Sequence, residues 1–71
     1  MEIIKLTDRE KEIAKCIIKG DSNKEIAQKL NLSTHTIKFI VSTLIQKMKA
    51  ENRTHIAFLI GSSKNLINQL K

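Results

Sequence analysis

Proline is absent from this 71-residue chain, glycine occurs twice and cysteine once. With no proline, no residue breaks a helix by its own ring geometry. The chain is otherwise rich in Lys, Glu, Ile and Leu, and its apolar residues do not alternate with period 2 over any long run, so it reads as all-α. Cys16 is alone, which excludes an intramolecular disulfide. No apolar run approaches the ~18 residues of a membrane span, and no signal-peptide pattern opens the chain, so a cytoplasmic, nucleoid-associated protein is expected. No internal repeat, linker or low-complexity segment divides the sequence, and residues 1–71 are read as one domain. A chain this short buries roughly 60% of its unfolded surface, which favours helices with local contacts.

Acidic residues are scarce in one half only. Residues 1–25 carry six Lys or Arg and six Asp or Glu, whereas residues 26–71 carry seven basic side chains against Glu51 alone. The net charge of +6 therefore resides in the second part of the chain. A basic half beside a neutral half suggests a surface that meets a polyanion.

Thr7-Asp8-Arg9-Glu10 is a capping box with Leu6 before it, opening a helix to about Lys19 that Gly20 can end in a left-handed conformation. On that helix Ile13, Cys16 and Ile17 share one face. Lys11, Lys15 and Lys19 form a stripe on another, near Asp8 and Glu12, and read as solvated. Ser22-Asn23-Lys24-Glu25 is a second capping box, for a helix to about Leu30. Asn31 can turn left-handed, Leu32 plugs the core, and Ser33 caps a third helix from Thr34 to about Lys49. A short helix, a three-residue turn and a longer helix make a helix-turn-helix, and Ala27 supplies the small side chain that so tight a crossing needs. At about 100° per residue, Ile37, Ile40, Val41, Leu44, Ile45 and Met48 fall in one arc of about 140°. The rest of that wheel holds no carboxylate. After Asn52-Arg53, Thr54 can cap a fourth helix, HIAFLIG, which is apolar almost all round and needs more than one neighbour. Gly61-Ser62-Ser63 breaks or bends the chain, and Leu66, Ile67 and Leu70 mark a possible short extra C-terminal helix.

Little here suggests catalysis. Cys16 lies on an apolar face and reads as a small core residue. His35 and His55 stand twenty residues apart without clustered acids or a second cysteine, so no metal or other cofactor is expected. No glycine-rich phosphate loop or small-molecule site is present either. Nucleic acid fits better. Helix N-termini offer free N–H groups to phosphate at Ser22, Asn23 and Lys24, and again at Thr34, His35 and Thr36. Lys38 can bond guanine, Ser42 either base type, and His35 stands on the same helix. Phe39 lies about 200° from Ile37, so it either meets a thymine methyl or folds over the second helix. Lys47, Lys49 and Arg53 are candidates to hold the flanking backbone.

These residues resemble the LuxR-type helix-turn-helix domain found alone in GerE-like proteins. The matching text is LTDREKEI at 6–13, Gly20, SNKEIAQKL at 22–30, LS at 32–33, TIK at 36–38, VSTL at 41–44, KM at 47–48 and NRT at 52–54. It runs from about Leu6 to Ala57 without gaps, within a motif-bearing core of about 6–60. The resemblance implies a four-helix transcription-factor domain whose third helix reads the major groove and whose fourth pairs two subunits on inverted-repeat DNA. It assigns base contacts to Lys38, Phe39 and Ser42, and backbone contacts near Ser22, Asn23, Lys24, Thr34, Thr36, Lys47 and Arg53. The family commonly has His where this chain has Ile40, Asn where it has Thr43, and a small residue where it has Ile56. Ile40 then either extends the core or replaces a phosphate contact.

The expectation is thus a sequence-specific regulator that binds double-stranded DNA as a homodimer, with Ile56, Leu59 and Ile60 as candidate pairing residues. With no sensor domain in the chain, control is expected to come from abundance or a partner. An effector domain cut from a response regulator is the alternative within this class. A protein-interaction module that antagonises another regulator is the alternative outside it.

Overall fold

Each helix begins at a short polar side chain that takes over an orphaned backbone N–H. In the computed structural model, which describes residues 4–71, Thr7 Oγ1 accepts from the Glu10 N–H at 3.1 Å while the Glu10 carboxylate accepts from the Thr7 N–H at 2.8 Å. This reciprocal pair opens α1 (Asp8–Lys19). Ser22 and Glu25 repeat it at the same two distances, 2.8 and 3.1 Å, to open α2 (Asn23–Leu30). Ser33 caps α3 (Thr34–Met48) through the Thr36 N–H at 3.1 Å. Asn52 caps α4 (Arg53–Ser62) through the His55 N–H at 2.9 Å. Ser63 caps α5 (Lys64–Gln69) through the Leu66 N–H at 3.3 Å. Each such cap is worth about 1 kcal/mol.

Three of the helices end in the left-handed region, at Gly20 (φ 89°), Asn31 (φ 57°) and Lys49 (φ 54°). Gly20 and Asn31 are suited to that role, whereas Lys49 is there at a steric cost. Thr54 is not the cap of α4: Asn52 takes that place, and Thr54 lies inside the first turn. Gly61 and Ser62 do not break the chain either, because α4 continues to Ser62 and the bend falls at Ser63. The C-terminal helix expected from Leu66, Ile67 and Leu70 is present as α5, and its Leu66 is buried. Of the lead-in at 1–6, residues 1–3 lie outside the described residues.

The architecture is all-α. Helices α1, α3 and α4 pack against one another, α2 packs on α3, and α5 packs on α4. Ile13, Ile26, Ile37, Leu44, Ile56 and Ile60 are the large side chains sealed completely inside. The arc of α3 falls as expected: Ile37, Val41, Leu44 and Met48 are buried, and Ile40 and Ile45 pack at the margin. Ile40 therefore extends the core. Ala27 is buried in α2, which packs along α3. The nearly all-apolar α4 has neighbours in α1, α3 and α5, which answers its need for more than one. Among the described residues, no helix is long and apolar enough to cross a membrane.

Gln69 closes the fold by a different route. Its Oε1 accepts from the Leu6 N–H at 2.8 Å, and its Nε2 donates to the Ile4 carbonyl at 2.7 Å. One amide side chain thereby satisfies two backbone groups of the lead-in to α1.

Candidate nucleic-acid interface

The buried stripe of α3 fixes what its opposite side must show. At about 100° per residue, His35, Lys38, Phe39, Ser42 and Gln46 fall within one outward sector, facing away from Ile37, Val41, Leu44 and Met48. All five are exposed, and Phe39 keeps 69% of its surface open to solvent. Phe39 does not fold over α2. Its outward setting leaves an apolar ring between a lysine and a hydroxyl, on a helix that contains no acid. Gln46 was not among the candidates that the sequence suggested, although the same angular count places it within this sector. Its amide can donate and accept at an adenine edge.

The two helix N-termini differ from the simplest expectation. At α2 the Ser22 hydroxyl and N–H are both engaged with Glu25, whose carboxylate adds negative charge at that end. Asn23 Oδ1 accepts from the Arg53 guanidinium, which also donates to the Asp21 carbonyl. Arg53 thus locks the α1–α2 turn and the start of α2 to the start of α4. Lys24 is exposed beside them. At α3, Thr34 and His35 are exposed in the first turn, while the half-buried Thr36 shares a 2.9 Å hydroxyl contact with Ser33.

The basic side chains also divide. The Lys47 ammonium donates to Glu10 at 2.7 Å and to the Lys5 carbonyl at 3.0 Å, so it ties α3 to α1. Among the described residues, Glu10 is the one buried charged residue, at 6% exposure. Burial alone would raise its pKa. The hydrogen bond from Lys47, the Thr7 N–H and the lysine's charge outweigh burial, and the carboxyl titrates below its ordinary value. Lys29 is paired with Asp21 at 2.6 Å. Lys38 and Lys49 are exposed and make none of the ion pairs found among the described residues.

The candidate pairing residues split in the same way. Ile56 and Ile60 retain 0% and 1% of their surface, buried in the core where α4 packs against its neighbours α1, α3 and α5. They cannot serve as outward contacts; a helix apolar on every side gives no sequence cue to which face is taken. Leu59 is half-buried, and the exposed apolar residue of α4 is Phe58, at 67%. Cys16 is buried, and burial raises its thiol pKa, so its reactive thiolate is scarce. No cluster of three or more His, Cys, Asp or Glu suited to a metal occurs among the described residues.

A family model described as bacterial regulatory proteins, luxR family, matches residues 5–60. The chain belongs to that family. Its helix-turn-helix is of the LuxR (GerE) type, a class of DNA-binding domains of transcriptional regulators rather than of enzymes. Among its curated relatives, the transcriptional regulatory protein DesR of Bacillus subtilis (strain 168) is 40% identical over 48 residues, covering 68% of this chain and 24% of that protein. The response regulator protein VraR of Staphylococcus aureus (strain NCTC 8325 / PS 47) is 40% identical over 62 residues, covering 87% of this chain and 29% of that protein. This LuxR-type chain therefore spans about a quarter to a third of the curated relatives it matches.

Proposed function

We propose that this LuxR-type domain is a sequence-specific regulator that lays α3 in the major groove and reads base edges with Lys38, Phe39, Ser42 and Gln46, with His35 at the upper end of the stripe. One observation carries the reading: the outward face of α3 is exposed and free of carboxylates, in a helix whose opposite face is fully committed to the core. Lys24, Thr34 and Lys49 are assigned to the flanking phosphates. Ser22, Asn23 and Thr36 present backbone and side-chain groups at the same two helix starts. Lys47 and Arg53 can approach phosphate from the same side, but their main part is to hold α1, α2 and α4 in register around the reading helix.

Two copies would pair through the outer face of α4, with Phe58 and Leu59 in the places first given to Ile56, Leu59 and Ile60. A two-fold pair sets half-sites about 10 bp apart on an inverted repeat. Regulation of transcription by a longer protein that contains this domain is the setting the relatives suggest. The test is selection of bound sites from random duplexes, followed by a salt titration on a selected and a random duplex. Steep dependence on log salt with clear site preference supports the reading. A flat dependence with little affinity for either duplex overturns it and leaves a protein-interaction module.

A further inference from the structure

Helices α1, α4 and α5 enclose an open groove of about 450 Å³ to which no residue of α2 or α3 contributes. Ile18, Ile60 and Leu70 give it an apolar floor, and Lys15, Lys19 and Lys71 border it. No Asp or Glu side chain lines it. The lysine stripe of α1 thereby acquires a different meaning from simple solvation. Its upper half is neutralised, since Lys11 lies 3.9 Å from Asp8, and Glu12 is 3.6 Å from Arg9. Lys15 and Lys19 enter none of the ion pairs among the described residues, and Ile18 between them is an exposed large apolar side chain.

Gly61 adds an independent argument. Glycine inside a helix costs roughly 1 kcal/mol relative to alanine. A Cβ at Gly61 would nevertheless meet nothing within 4 Å, and its φ is not in the left-handed region, so the chain's own packing does not require glycine there. Gly61 lines the groove, and its missing side chain leaves that part of the wall low.

We propose that this groove docks an acidic amphipathic helix of a partner protein, with apolar side chains on the floor and carboxylates against Lys15, Lys19 and Lys71. A helix laid in a groove anchors at i, i+3 or i+4, and i+7, and leaves its far side in water. That suits a trough open along one side better than it suits a small molecule, which pockets bury by ~70–90%. Charge decides against a second copy of this chain. Its α4 and α5 carry no Asp or Glu, so an apolar face built from them in another copy would bring no carboxylate to Lys15, Lys19 and Lys71. The site does not rest on the DNA reading and leaves the outward face of α3 uncovered, so both partners can be held together.

The probe is a helical peptide with Leu at i, i+4 and i+7 and Glu at its remaining exposed positions, compared with a twin carrying Lys for every Glu. Both are titrated into 15N-labelled protein. The acidic peptide should shift the amide signals of Ile18, Lys19, Gly61 and Leu70, half-saturating below about 1 mM, and the basic twin should not. Replacing Lys15→Glu and Lys19→Glu together, both at exposed sites, should weaken the acidic peptide by about tenfold or more. Gly61→Leu should fill the groove and abolish the shifts while the rest of the spectrum stays in place. Equal binding of both peptides, an absence of shifts, or shifts confined to α3 would overturn the proposal. So would groove signals that move with protein concentration before any peptide is added, or laurate producing the same shifts at lower concentration than the acidic peptide.

Discussion

Phe39 and Phe58 are exposed to almost the same degree, 69% and 67%, yet they stand in opposite chemical company. Phe39 sits on α3 among Lys38, Ser42, His35 and Gln46, each able to make directional hydrogen bonds. Phe58 sits on α4 one turn from His55, whose ring lies 6.1 Å away and nearly parallel, with half-buried Leu59 beside it. An aromatic ring among donors can pick out a thymine methyl while its neighbours hold the adjoining edges. A ring on a largely apolar helix has only shape and area to offer, which is what a protein surface recognises. Exposure alone would have treated the two as equivalent.

Five substitutions and one pair of pH profiles can break or sharpen this contrast. The largest effect is expected for Phe58→Asp, which should cost about 2–4 kcal/mol of cooperative binding to an inverted repeat, as loss of an aromatic anchor does. Affinity for an isolated half-site, measured by fluorescence anisotropy, should stay unchanged. Equal losses on half-site and full site would place Phe58 in the wrong role. Lys38→Ala should cost ~1–3 kcal/mol on a selected site and relax preference at one base pair, whereas Lys24→Ala should weaken every duplex alike and lower the salt slope by about one. Identical behaviour of the two mutants in a competition assay would remove the distinction between reading and holding.

The frame under α3 gives an intermediate effect with a defined pH signature. Because Glu10 titrates below its ordinary value when folded, its contribution is complete above about pH 4.3, the unfolded carboxyl value, and is lost as pH falls through the lower, folded pKa. Denaturant melts should therefore show an acid limb below about pH 4 that becomes shallower in Glu10→Gln. Asp21, also held low through its hydrogen bond from Lys29, keeps part of that limb in the mutant. At neutral pH the same mutant should lose about 2 kcal/mol, less than for a fully buried pair because Lys47 remains partly open to water. A neutral-pH melt that does not move would mean that Lys47 is free to contact DNA instead.

Phe39→Ala should lower selected-site affinity by about 1 kcal/mol and leave thermal stability within about 0.5 kcal/mol, the range of surface changes. A stability loss larger than the affinity loss would make Phe39 a packing residue and erase its contrast with Phe58. The smallest effect is expected at the C-terminal end of α3. Lys49→Gly relieves a left-handed residue and should raise stability by about 0.5 kcal/mol, with a modest, sequence-independent loss of DNA affinity.

Much of this was legible in the residues. The reciprocal pairs Thr7–Glu10 and Ser22–Glu25, the left-handed Gly20 and Asn31, and the buried arc of α3 all follow from local spacing. Three features did not, each for a physical reason. Asn52 and Thr54 are both good caps two residues apart, and only the path of the chain out of Lys49 selects between them. The phase of α4 is invisible in a stretch where almost every side chain is apolar, so Ile56 and Ile60 could not be separated from Phe58. The partner of Lys47 lies 37 positions away, and no local pattern announces a bond across that span.

The clamp made by Gln69 has a topological consequence. It brings the lead-in and the last helix together across sequence separations of 63 and 65 residues, so the described chain closes almost into a ring. A peptide bridge spanning that gap would add little further closure entropy. The order of the helices along the chain is then separable from their arrangement in space. A permuted gene that starts at α4, and passes from α5 directly into the lead-in of α1, encodes the same set of neighbours.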